Sequence, residues 1–166
     1  MRKRSQGREI ALQALYQHDL RRKAEREARA TATDFEPFIA EATADPEVRT
    51  YARMLLDGTL SRLEELDEAI ALRAENWRLH RIAPVDRCIL RIALYELLEC
   101  GDVPPKVAIN EAIDLAKKFS TEQSGAFVNG ILDRIYRDLR QERGEPFSSG
   151  RGGPGNTTED TTELPP

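Results

Sequence analysis

The stretch PVDRCILRIALYELLECGDVPPKVAINEAIDLAKKF, residues 84–119, decides how the rest of the chain is read. Pro84 suits the first position of a helix, where its missing N–H costs nothing. From Cys88 to Leu98 nearly every side of that helix is apolar, with only Arg91 and Glu96 interrupting. A helix with no polar face cannot lie on a surface, so this one is expected at the centre of a bundle. Gly101 and Asp102 end it, and Pro104 and Pro105 precede a further helix on which Ile109, Ala112, Ile113 and Ala116 form one narrow stripe.

Outward from this core, the same period of three to four residues recurs. Ser120 and Gln123 have the form of a capping box, opening a last helix with Val128, Ile131, Leu132, Ile135 and Leu139 on its inner side. Toward the N-terminus, Asp45 and Pro46 mark the start of a long helix running to about Ala74, with Val48, Tyr51, Leu55, Leu56, Leu60, Leu63, Leu66 and Ile70 in register and Gly58 as either a bend or a close-packing point. Thr33 and Glu36 predict a capped short helix carrying Phe35, Phe38 and Ile39. The first helix spans about Ser5 to Ala30, its apolar side supplied by Ile10, Leu12, Ala14, Leu15 and Leu20. Nothing reads as a strand, so the fold class is all-α.

The run GEPFSSGRGGPGNTTEDTTELPP, residues 144–166, has almost no apolar residue with which to offset the entropy of ordering, and a disordered tail is expected there behind one helical domain over 1–143. With 40% apolar and 33% charged residues the chain has the composition of a globular protein. No apolar run is long enough to span a membrane and no secretory leader is visible, which predicts a cytoplasmic protein that binds no membrane.

Charge is unevenly spread beneath the net value of −4. Residues 1–8 carry Arg2, Lys3, Arg4 and Arg8 and no acid, whereas residues 34–75 hold eleven acids against four arginines. A basic arm on an acidic body suits an anionic partner met by one end; a solvated, frayed terminus is the alternative. Flat side chains near cations are what single-stranded RNA requires. Tyr16, two turns beyond Arg8, and Phe127, in the first turns of the last helix beside Ser124 and Asn129, meet that description, although both also suit the edge of a core.

Enzymatic chemistry lacks its usual supports. There is no Gly-rich phosphate loop, no nucleophile elbow and no zinc-binding helix, and no cofactor is called for. His18, His80, Cys88 and Cys100 have no metal-ligand spacing, and the two cysteines are too far apart on one helix to bridge.

The segment LRIALYELLECGDVPPKVAINEAIDLAKKF (90–119), followed by FVNGILD (127–133), resembles the NusB family of bacterial transcription antitermination factors, as do REIALQALY (8–16) and LLDGTL (55–60). The likeness covers about residues 4–138. It implies two small helical bundles, of about seven helices, sharing the central apolar helix. It also implies binding of boxA-type single-stranded RNA together with NusE, a small-subunit ribosomal protein, and assembly with NusA, NusG and RNA polymerase for terminator read-through, especially in ribosomal RNA operons. By position, Arg2, Lys3, Arg4 and Arg8 correspond to phosphate-binding residues, Tyr16 and Phe127 to aromatics that approach bases, Arg91 and Lys106 to cations near that surface, and Asp86 to an acidic position at the NusE interface. Ser5 and Gln6 depart from the arginine run of some relatives, which implies either a weaker RNA affinity or a different register of contacts. Two alternatives remain: a structural homodimer that buries the RNA surface, and a stand-alone relative of the NusB-like domain of RNA cytosine methyltransferases, without the enzyme.

Overall fold

The computed structural model describes residues 2–21, 31–74 and 81–142, all of whose regular elements are helical. Seven α-helices are present among them: α1 (Lys3–Leu20), α2 (Glu36–Ala42), α3 (Pro46–Ser61), α4 (Leu63–Arg73), α5 (Pro84–Glu99), α6 (Pro105–Phe119) and α7 (Glu122–Glu142), with a 3-10 turn at Ala32–Phe35 before α2. The tail expected from residue 144 lies outside the described residues; the first helix, expected to run to Ala30, ends at Leu20, because Arg21 turns to extended backbone at φ −66° and ψ 155°.

The apolar segment does lie at the centre. On α5, Cys88, Ile89, Leu90, Ile92, Ala93 and Leu94 are all buried. This helix packs against α1 and α3 on one side and α4, α6 and α7 on the other, so it is the shared wall of two bundles. Fully burying one such Leu or Ile contributes about 1.5–3 kcal/mol. The thiols take part as apolar groups: burial pushes Cys88 up to about 12 and Cys100 up to about 11, far from the thiolate form a ligand or nucleophile needs.

The predicted helix over 46–74 is two helices. Asp45 caps the first as expected, accepting from the Glu47 N–H at 2.9 Å. At its far end the Ser61 hydroxyl donates to the Gly58 carbonyl at 2.9 Å, and the Arg62 N–H bonds Thr59 rather than continuing the α-helical ladder. The apolar stripe carries on because α3 and α4 both face α5. Gly58 is the close-packing point: a Cβ there would stand 1.9 Å from Cζ of Tyr95 on α5.

Three smaller expectations shift. The cap before α2 is Thr31 with Asp34, whose carboxylate accepts from the Thr31 N–H at 2.8 Å, not Thr33 with Glu36. Glu36 is instead in an ion pair with Arg53 on α3. The cap of α7 is Thr121, whose hydroxyl accepts from the Ser124 N–H at 3.0 Å. Leu20, expected in the core, is 62% exposed at the end of α1.

Candidate nucleic-acid interface

Ion pairs across α1 fix its direction against its neighbours. Arg8 meets Glu96, and Asp19 meets Arg87 and Arg91, so α1 runs antiparallel to α5. Ser5 meets Glu111 and Glu9 meets Lys118, so α1 runs parallel to α6. Each candidate residue can be placed on this frame.

The arm divides into surface and interior. Arg2 is exposed at the cap of α1 and lines a groove of about 390 Å³ with Ser5, Glu9, Glu111, Asp114 and Lys118. Lys3 is turned the other way, toward Asp45 at 3.3 Å and Glu47 at 3.2 Å, which raise its pKa. Arg4 is half-exposed, 2.7 Å from Asp102 in the loop before α6 and stacked over Tyr51. Lys106 is exposed in the first turn of α6, four residues beyond Asp102. Arg2, Arg4 and Lys106 therefore share one end of the molecule. The pair that Arg4 makes with Asp102 is exposed, and such pairs contribute only about 0–1 kcal/mol, so a phosphate can displace that carboxylate.

Arg8 does not belong to that surface. Only 4% exposed, it donates through Nε to both Glu96 oxygens at 3.0 Å, and Tyr51 donates its hydroxyl to the same carboxylate at 2.6 Å. Burial alone would lower the Arg8 pKa, but Glu96, with Tyr51 and Glu111, more than offsets it. The cation that the sequence offered to a phosphate is spent inside the fold. Arg91 behaves likewise: 8% exposed, it grips Asp67 through two nitrogens at 2.6 and 2.9 Å and Asp19 at 3.0 Å. Both arginines were drawn to the interior by carboxylates distant in sequence, and no local pattern announces that.

The aromatic residues sit at the opposite end of α5. Tyr16 is half-buried on α1, two turns beyond Glu9 and three residues before Asp19, which anchors the start of α5. Phe127 packs partly on the core and lines a cavity of about 300 Å³ with Arg81, Ile82, Ala83, Asp86, Gln123 and Ser124. Asp86 is only 6% exposed, and its Oδ2 accepts from the Ser124 hydroxyl at 2.8 Å. Ser124 is thus turned inward, held also by the hydroxyls of Ser120 and Thr121. Asn129 is exposed, but two residues along a helix is about 200° of rotation, so it faces away from Phe127. Arg81 and Gln123, which the sequence did not single out, complete the cavity; Arg81 lies just ahead of the Pro84 helix start. The ten residues from Glu96 to Asp86 separate the two ends by ~15 Å along α5.

Among the described residues no His, Cys, Asp and Glu cluster could hold a metal ion, and no helix is long and apolar enough to cross a membrane. Comparison with known proteins agrees with the fold. The NusB family model matches residues 5–137. The chain belongs to the NusB family. A transcription antitermination protein NusB from Desulfosudis oleivorans is 43% identical over 143 residues, covering 84% of this chain and 88% of that protein. Among solved structures, T. maritima NusB superposes with a TM-score of 0.68 at 38% identity, covering 81% of this chain and 91% of that one. A crystal structure of the antitermination factors NusB and NusE in complex with double-stranded RNA superposes with a TM-score of 0.70 at 29% identity, covering 83% of this chain and 98% of that NusB-family chain.

Proposed function

We propose that this chain is a transcription antitermination factor that holds boxA-type single-stranded RNA together with NusE and acts with NusA, NusG and RNA polymerase in the cytoplasm, ribosomal RNA operons among its targets. The observation that carries the reading is the arrangement along α1. Surface cations, Arg2, Arg4 and Lys106, stand at one end, and Tyr16 and Phe127 stand at the other, with the α1–α6 groove between. An unpaired strand laid along that seam meets cations first and rings last, which is the combination single strands require. Glu9, Glu111 and Asp114 in the groove disfavour phosphates there, so the electrostatic grip is concentrated on the arm.

The curated relatives named for antitermination support this reading, as does the structural neighbour that contains NusE and RNA. The Desulfosudis protein is matched over 88% of its own length, which leaves no room in it for an appended methyltransferase domain. The test is a gel shift with boxA RNA, with and without NusE, against a scrambled RNA of the same length. Preference for boxA that sharpens when NusE is added is expected; equal retention of the scrambled strand would overturn the reading. With three surface cations, log affinity should fall with log salt at a slope of about −2, from about −0.7 per phosphate.

A further inference from the structure

The end of the molecule that carries the arm is also where the last described helix ends. Helices α6 and α7 are joined by Ser120 and Thr121 alone, and Gly125 on α7 faces Ile113 and Lys117 on α6, so the two run antiparallel. With 21 residues against 15, α7 returns to the level of α6's first turn and passes it, which brings Glu142 toward Lys106 and the Asp102 loop that Arg4 meets. Between the first turn of α1 and α3, that end carries a cleft of about 430 Å³, walled by Pro46, Thr50, Tyr51 and Met54 with Arg4 at its rim. Asp45 and Glu47 occupy Lys3, and Asp102 occupies Arg4, whereas Arg2 and Lys106 have no ion pair among the described residues. Beyond Glu142 the sequence passes through a Gly-rich run to NTTEDTTELPP, residues 156–166, which holds Glu159, Asp160 and Glu163, no cation, and one large apolar side chain, Leu164. From Glu142 to Glu159 the chain reaches at most about 60 Å, roughly twice the length of α7.

We propose that the acidic stretch 159–164 docks on this end of its own chain, its carboxylates on Lys106 and Arg4 and Leu164 in the cleft, and so competes with RNA phosphate for the arm. The consequence for RNA rests on the RNA-binding reading above; the contact itself does not. Complementarity is twofold. Three acids without a cation meet Lys106, which has no ion pair, and Arg4, held by one exposed carboxylate, while the apolar side chain of the stretch meets the apolar walls beside them. Glu47, on the cleft's other rim, stays with Lys3, so a leucine and not a carboxylate enters there. A glutamate that replaces Asp102 on Arg4 exchanges one exposed ion pair for another, and such an exchange costs little. Because the stretch is tethered, it meets the arm at an effective concentration of about a millimolar, and a contact too weak to form between separate molecules forms within one. RNA then finds its phosphate site free for only part of the time, and its apparent affinity falls by that fraction.

The test compares the full chain with a full-length amide variant, Glu159→Gln with Asp160→Asn and Glu163→Gln, which keeps the length and removes the charge. In fluorescence anisotropy at one low salt concentration, the amide variant should bind boxA RNA about fivefold tighter, the gain expected if the docked stretch leaves the arm free about one-fifth of the time. Leu164→Ser, at unchanged charge, should gain about twofold, because it weakens the contact without abolishing it. In an Arg4→Ala, Lys106→Ala background the amide substitutions should gain less than about twofold, since the contact they release is already gone. Without RNA, the backbone amide signals of Thr50, Met54 and Val107 should move between the wild type and the amide variant. Equal RNA affinity of those two proteins overturns the proposal. So does a gain that persists at full size in the Arg4→Ala, Lys106→Ala background, which is general repulsion between an acidic segment and RNA. An unaltered affinity in Leu164→Ser overturns it as well, because charge alone then accounts for the effect. Should no form bind RNA, the function proposed above falls, and the amide signals alone decide the contact: moved, it stands; unmoved, it falls.

Discussion

Arg4 and Arg8 stand one turn apart on α1, and both guanidiniums lie over the Tyr51 ring, at 5.3 and 5.5 Å. Their surroundings differ in depth. The carboxylate facing Arg4 is Asp102, 66% exposed, while the one facing Arg8 is Glu96, 2% exposed. One pair is a surface contact that a phosphate can replace, and the other is a buried bridge between α1 and the central helix. Gly7 lets the shared ring come in close to α1, because a Cβ there would meet Tyr51 Cδ1 at 2.9 Å. A basic run is therefore not a unit of function. Each cation has the role of the carboxylate it meets.

Breaking the interior pair tests this most strongly. Arg8→Ala leaves Glu96 buried without its partner and should cost about 3–5 kcal/mol in chemical denaturation, with RNA binding lost only as far as the fold is lost. If stability is unchanged, Arg8 is a surface residue after all. Next comes Phe127→Ala at the far end. It should weaken RNA binding by about 1–3 kcal/mol through lost stacking, against a measured stability change that reports its partial role in the core. Gly58→Ala forces Cβ into the Tyr95 ring and should cost about 1–3 kcal/mol in stability without altering the salt slope of RNA binding.

Arg4→Ala sharpens the contrast from the other side. Stability should change by less than about 1 kcal/mol, while the salt slope of RNA binding loses about 0.7. The smallest effect is acidic. Burial alone would raise the Asp19 carboxyl, but hydrogen bonds from Arg87 and Arg91 hold it below its usual 3.8. Its contribution is complete above that value and is lost as pH falls through the lower folded one. The acid limb of a stability–pH profile should therefore flatten in Asp19→Asn, and an unaltered limb would mean that Asp19 does not titrate with folding.

Much of the architecture was legible because it depends on local periodicity. The all-round apolar character of Cys88 to Leu98 gave away its central position, and Asp45 with Pro46 gave away the start of α3. The break at Ser61–Leu63 was invisible because a stripe facing one neighbour does not record whether the backbone pauses beneath it. Tyr16 and Phe127 stand out by type and spacing, and both are partly buried against the core. The inward turn of Arg8, Arg91 and Ser124 could not, because their partners Glu96, Asp67, Asp19 and Asp86 come from other helices and only the assembled fold brings them close.

Because α5 forms a wall of both bundles and is tied into α1 at each end, neither half of the molecule has a complete interior of its own. Melting should thus be all-or-none, with calorimetric and van't Hoff enthalpies equal. Amide protons on α5 should exchange only when the entire domain opens, making this helix the slowest-exchanging element of the protein.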